Sequence, residues 1–361
     1  MDLDLSDEQQ QLVDSFGALY AKESPPERVR AAEVAEPIGH DPELWLRLQE
    51  NGALEMAVDE GSGGWGASLL DLALVAEQHG RYLGAAPLLE AQAAARLLAR
   101  LSNRPGADST STAGSLMAEL LESALAGAGL VTLALRPPTR GVLSLVPAGA
   151  VADDVIFFDG TSLRHIALEG DRSAVSTMGS LPLADIAVPA SSTELASGAD
   201  ARQAFEEAVN EWMILMAGAL VGVGTRAIEV GVEYVKERKA FGVPIGSFQA
   251  VSHGLADAAT ALDGGTLLAR EAAWSAEAQP ERTPELGPLA FGFCTEAARE
   301  ASYRSLHYHG GYGFMLEYDI QLYFRRARGW PAQFAEPDVA FGMAAARRLS
   351  ARAAAATDGE A

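Results

Sequence analysis

Between Phe205 and Tyr234 apolar residues recur at alternating steps of three and four: Phe205, Val209, Trp212, Met216, Leu220, Val223, Ala227, Val230 and Tyr234. That spacing puts one stripe on one helical face, and at 1.5 Å per residue the helix runs for roughly 50 Å. Such a stripe needs other helices to cover it. Three more are predicted, opening near Phe248, after Thr283-Pro284, and ahead of "AFGMAAARRLSARAAAA". Four helices of this kind read as a bundle. Gly218 and Gly222 lie one turn apart, where missing side chains let another backbone approach. The uncharged run "WMILMAGALVGVGT", 212–225, is bounded by Glu211 and Arg226 and is too short to span a bilayer.

Upstream, the pattern divides the chain in three. Residues 1–128 read as a helical domain. "SDEQ" at Ser6–Gln9 is a capping box, Asp41-Pro42 caps a helix that Gly52 stops, and further helices fall near 68–82, 86–101 and 115–126. "RPGADSTSTAG", 104–114, is a turn-rich break. Over 129–190 the runs "LVTLALR", "GVLSLV", "DVIFFDG" and "SLRHIAL" predict a small antiparallel sheet or barrel. "PASSTELASGADA", 189–201, is a linker by composition, leaving 191–361 for the bundle. The fold class is mainly α with a small β domain.

Charge narrows the function. Twenty-seven basic residues stand against 49 acidic ones, a net charge of −22 that repels phosphate backbones and anionic lipid. Nucleic-acid and membrane roles are therefore not expected. Cys294 is the one cysteine, so no intrachain disulfide forms, which suits a reducing cytoplasm. "MDLDLSDEQQQ" has no apolar signal core, and export is not expected either.

Three motifs bear on chemistry. "GSGGWG", 61–66, matches G-x-G-x-x-G in letters, but helices flank it and no βαβ unit surrounds it, so it reads as a helix–helix loop. His307 and His309 in "HYHGGYGF" lack a Cys, Asp or Glu at ligand spacing, and the Gly310–Gly311 pair is the more informative part. In "ERKAFGVPIGSFQ", 237–249, Arg238 ends the long helix, where it either answers the helix dipole or serves as a planar fork for pyrophosphate. Gly242, Pro244 and Gly246 shape a turn, and Gln249 opens the next helix with a free amide. Phe241 and Phe248 read equally well as ligand contacts or as bundle packing.

"RKAFGVPIGSFQ" followed by "HYHGGYGF" resembles the acyl-CoA dehydrogenase family's R-x-x-F-G-x-P-I-x-x-F-Q and Q-x-x-G-G-x-G motifs. "DEGSGGWGASLLDLALVAEQHGR" is similar to that family's N-terminal loop and helix, and the likeness covers most of the chain. It implies a helical domain, a β domain and a four-helix bundle, with FAD lying between subunits. One subunit cradles the flavin ring while its neighbour holds the ADP arm. By position the ADP-arm residues are Arg238, Phe241, Gln249, His307, Tyr308, His309, Gly310 and Gly311, with His307 where the family has Gln.

The family's ring contacts are missing. Its T-E-P, G-S-D and W-I-T-like strands have no counterpart, no tryptophan occurs between Trp65 and Trp212, and "TEL" at 193–195 falls in the linker. The family base is a Glu that removes the substrate's α proton. One family position for it falls at Phe334, two residues from Glu336; the other falls at Trp212, beside Glu211. A one-residue offset turns a helical side chain by roughly 100°, so Glu211 reads as a solvated or capping charge before a base. The resemblance extends to the degenerate subunit of heteromeric α2β2 enzymes that desaturate steroid side-chain CoA thioesters. That implies an acyl-CoA substrate, a homologous partner supplying ring contacts and base, and an electron-transfer flavoprotein as acceptor. Three other readings stand: a self-sufficient enzyme with Glu211 or Glu336 as displaced base, a flavin-free structural subunit, and a flavin monooxygenase of the same fold.

Overall fold

The computed structural model describes residues 4–104 and 108–358. Among the described residues the helices are α1 Asp7–Glu23, α2 Pro26–Glu33, α3 Pro42–Glu50, α4 Leu69–Arg81, α5 Leu88–Asn103 and α6 Thr112–Leu125. Six strands follow: β1 Val131–Leu133, β2 Val142–Val146, β3 Asp154–Phe158, β4 Ser162–Ala167, β5 Ala184–Ala187 and β6 Thr193–Ser197. Then come α7 Gly198–Glu237, the short strands β7 Lys239–Ala240 and β8 Val243–Pro244, α8 Gln249–Ala278, α9 Thr283–Tyr308, α10 Ile320–Ala332 and α11 Pro337–Asp358.

Local signals account for several boundaries. The Ser6 hydroxyl accepts from the Gln9 backbone N–H while the Gln9 amide oxygen accepts from the Ser6 N–H, which starts α1. The Asp41 carboxylate accepts from the N–H groups of Glu43 and Leu44 at the head of α3. Gly52, at φ +71°, lies just beyond that helix.

Two compact units divide the chain: residues 1–21, 69–83 and 213–361 form one, and residues 22–68 and 84–212 the other. In the first, α7 meets α4 through its glycines. A Cβ on Gly218 would stand 2.7 Å from the Ala73 carbonyl oxygen, and one on Gly222 only 1.9 Å from that of Glu77. The close approach expected from the sequence is therefore real. Ala258, Leu262, Ala297 and Ala301 form an apolar seam between α8 and α9. In the second unit, β1-β3-β4-β6 make one sheet and β2-β5 a separate pair. Leu143, Val155, Phe157, Ile166 and Ile186 share one core there.

Several expectations are corrected. β1 pairs with β3 in parallel, from Val131↔Asp154 to Leu133↔Ile156, so the sheet is mixed and not antiparallel throughout. The chain between these strands detours through β2, giving the long crossover that parallel pairing needs. The compositional linker is ordered: Thr193–Ser197 is an edge strand on β4, and α7 starts at Gly198. α10 adds a helix beyond the four expected. The turn-rich break lies partly outside the described residues, and α6 begins inside it at Thr112. The helix around 212–225 is long and apolar enough to cross a membrane by length and composition, contrary to the reading of the shorter run. Yet 72% of its apolar window is buried within the protein.

Candidate functional site

α7 ends at Glu237, and the chain turns at once into the β7–β8 hairpin, with Lys239 opposite Pro244 and Ala240 opposite Val243. Its two-residue tip, Phe241-Gly242, has φ of +55° and +83°, the left-handed pair that tight hairpins require. Glycine adopts that geometry freely; phenylalanine does so at a cost. The Phe241 side chain is 96% exposed and meets Phe248 edge-on, so it is not bundle packing. The hairpin carries an aromatic ring outward at the expense of backbone strain, as residues serving an external contact do.

The two distant motifs meet on this face. The Tyr234 ring stacks on His309 at 3.9 Å between centroids. The Arg238 guanidinium lies 5.9 Å from the centre of the Tyr312 ring. Tyr308 donates its hydroxyl to the Ala250 carbonyl, one residue beyond Gln249 at the start of α8. Arg238, Phe241, Gln249, His307, Gly310 and Gly311 are all exposed. Gly310 takes φ +60°, and a Cβ at either glycine would meet nothing within 4 Å. Only His309 turns inward. It is buried, its Nδ1 lies 2.7 Å from the Ser305 carbonyl, and desolvation holds its pKa below the ordinary histidine value. It supports the turn from beneath, a role that spacing alone did not reveal.

Neither candidate base is poised as one. Glu211 is 7% exposed, and its Oε1 accepts from Arg96 Nη2 at 3.0 Å and Arg100 Nη2 at 2.6 Å. It is thus neither solvated nor capping: burial pushes its pKa up, but the two guanidiniums more than offset this and hold it below the usual range. Glu336 forms a two-pronged pair with Arg299, at 2.6 and 3.1 Å, which lowers its pKa likewise. A base for a carbon acid needs the opposite adjustment, toward neutrality. The sequence reading missed Arg96 and Arg100 because their partner lies more than a hundred residues away. Their four-residue spacing on α5 was the available signal.

A carboxyl the sequence did not single out does have a raised pKa. Glu90 on α5 is buried, desolvation favours its protonated form, and it receives the Trp212 indole N–H at 3.4 Å. Trp212 itself is 0% exposed.

Comparison with known proteins bears on family and fold. The family description "Acyl-CoA dehydrogenase, N-terminal domain" matches residues 6–108, and "Acyl-CoA dehydrogenase, C-terminal domain" matches 201–332. The acyl-CoA dehydrogenase IpdE2 of Mycolicibacterium smegmatis is 32% identical over 326 residues, covering 90% of this chain and 94% of that protein. Among solved structures, a chain of the ChsE4-ChsE5 complex from Mycobacterium tuberculosis superposes with a TM-score of 0.82 at 25% identity, covering 98% of this chain and 99% of that one. A steroid acyl-CoA dehydrogenase variant, Tcur3481-Tcur3483, shares the fold with a TM-score of 0.83 at 22% identity, covering 96% and 99%.

Proposed function

The chain belongs to the acyl-CoA dehydrogenase family, whose members are oxidoreductases acting on CH–CH bonds with FAD, and from that premise we propose that it is one half of a heteromeric enzyme. In this reading it grips the ADP arm of FAD, and a homologous partner supplies the flavin-ring contacts and the base. The donor set fits that arm. Arg238 offers a planar, permanently charged fork for pyrophosphate, Gln249 an amide, and Gly310–Gly311 a backbone that no side chain shields. Phe241 gives an apolar contact at the hairpin tip. When bound, FAD would supply the hydride acceptor for oxidation at the substrate's β carbon. This chain's own part is to position the cofactor and to leave proton removal to its partner.

One observation carries the proposal. The ADP-arm residues converge on an open face, while Glu211 and Glu336 are both committed to arginines. The substrate is an acyl-CoA, and the likeness to a steroid acyl-CoA dehydrogenase and to the ChsE4-ChsE5 complex favours a steroid side-chain thioester and a two-chain assembly. An electron-transfer flavoprotein is the acceptor we infer, in the cytoplasm. A self-sufficient enzyme using Glu211 or Glu336 draws less support, since each would first have to leave its arginines.

The test is to express the chain with and without its homologous partner and count flavins. One FAD per two chains in the complex, and little in the lone chain, is the expected result. Full loading and dehydrogenase activity in the lone chain reject the proposal.

A further inference from the structure

A residue at the early helix position used for the family base must approach the substrate's α carbon, because proton transfer needs contact distance. Here that position is Trp212. Its side chain is 0% exposed, and its indole N–H is directed to Glu90 on α5. Ala93, Ala94, Leu97 and Leu98 of α5 are also 0% exposed. Resting on the family reading above, we propose that Trp212 is a plug: it fills the space beside the α carbon, so this chain takes up no acyl group of its own.

Three features of the site support this. An indole occupies far more volume than a carboxylate, and close-packed interiors do not yield such space cheaply. Its one polar atom has a partner, the Glu90 carboxyl at 3.4 Å. The preceding residue, Glu211, is tied to Arg96 and Arg100, so the backbone carrying Trp212 is anchored on the same helix α5. The consequence for a heteromeric assembly is a single acyl site for each pair of chains, set by sterics as well as by the absent base.

The experiment uses an octanoyl-CoA analogue bearing a diazirine at the end of its acyl chain. It is irradiated with the chain in its co-purified complex, or with the chain alone if none co-purifies, and the labelled peptides are mapped. In the wild type, residues 86–101 and 205–220 of this chain should stay unlabelled. In Trp212→Gly, labelling of those segments should rise about tenfold or more, the change expected when a steric block is removed. Trp212→Leu serves in its place if the glycine variant does not fold by circular dichroism. Labelling of these segments in the wild type overturns the proposal, and so does a folded variant that stays unlabelled. Flavin is counted in the same samples. One flavin per chain with the wild type unlabelled counts against the half-site reading and leaves the plug standing; one per two chains with these segments labelled does the reverse.

Discussion

The ring of Tyr234 lies flat against the imidazole of His309, with centroids 3.9 Å apart and planes 21° from parallel. Through this contact the last turns of α7 support the glycine turn that follows α9. Tyr234→Leu should destabilise the protein by about 0.5–1.5 kcal/mol, the range of one aromatic pair beyond its buried area. Flavin retention should fall more steeply than stability does. Tyr234→Phe should stay near wild type, because the tyrosine hydroxyl reaches the His309 carbonyl only at 3.5 Å. Urea unfolding beside flavin absorbance separates the two effects.

Arg238 is exposed, so its loss should hardly affect folding. Arg238→Gln should weaken FAD retention by about 1.5–3 kcal/mol, the scale of a hydrogen bond to a charged group. Arg238→Lys should recover only part, since an ammonium lacks the planar fork. Flavin content after gel filtration of the complex measures both. Unchanged flavin in Arg238→Gln would mean that the ADP arm lies elsewhere.

Removing the Glu211 carboxylate leaves two guanidiniums without their shared acceptor. Glu211→Ala should cost about 3 kcal/mol, as breaking a buried pair does. The folded pKa of Glu211 lies below the ordinary 4.5, so its contribution is fully present above that value and lost as pH falls through the folded pKa. The variant's stability should therefore depend less on pH below about 4.5 than the wild type's. If the complex still turns over, Glu211 is not its base.

His79 titrates in a separate window. It is buried, its Nδ1 lies 2.9 Å from the Tyr20 hydroxyl, and desolvation lowers its pKa from 6.5 to about 4. The unfolded chain binds the proton more readily, so stability is complete above the unfolded value and declines as pH falls from 6.5 toward about 4. The full loss is about 3 kcal/mol, from 1.36 kcal/mol per pKa unit. His79→Gln should flatten the stability curve in that interval, whatever it does to absolute stability. Denaturant midpoints between pH 4 and 7 (a range set by the two pKa values) read this directly.

Two glycines give opposite expectations. Gly222→Ala forces a Cβ to within 1.9 Å of the Glu77 carbonyl oxygen and 2.7 Å of the Arg81 amide nitrogen, and neither backbone atom can step aside. It should destabilise by about 1–3 kcal/mol or more. Gly264→Ala meets only the Phe293 ring at 3.7 Å and should be neutral or stabilising by about 0.5–1 kcal/mol. Melting temperatures of the pair test whether α7 and α4 are as close as described.

Local chemistry made much of this legible beforehand. The stripe from Phe205 to Leu220, the Ser6–Gln9 box and the Asp41 cap act over a few residues, and each formed where the pattern put it. The hairpin and glycine motifs were visible too, because tight turns leave marks in glycine and proline. What failed was non-local. Nothing near Thr193 announces an edge strand, since its hydrogen bonds go to a strand some thirty residues earlier. The parallel pairing of β1 with β3 likewise depends on a crossover and not on either strand's composition.

By itself the sequence determined most of the helical segments, and it marked two spaced motifs that resemble those of one family. Only the tertiary structure decided what the charged groups do. Glu211 looked solvated until Arg96 and Arg100 arrived beside it, His309 looked like part of the grip until Tyr234 covered it, and Glu90 was unremarkable until Trp212 enclosed it. Secondary structure follows from interactions between near neighbours. A carboxyl group's burial and partners are set by residues a hundred positions away, and those exist only once the chain has packed.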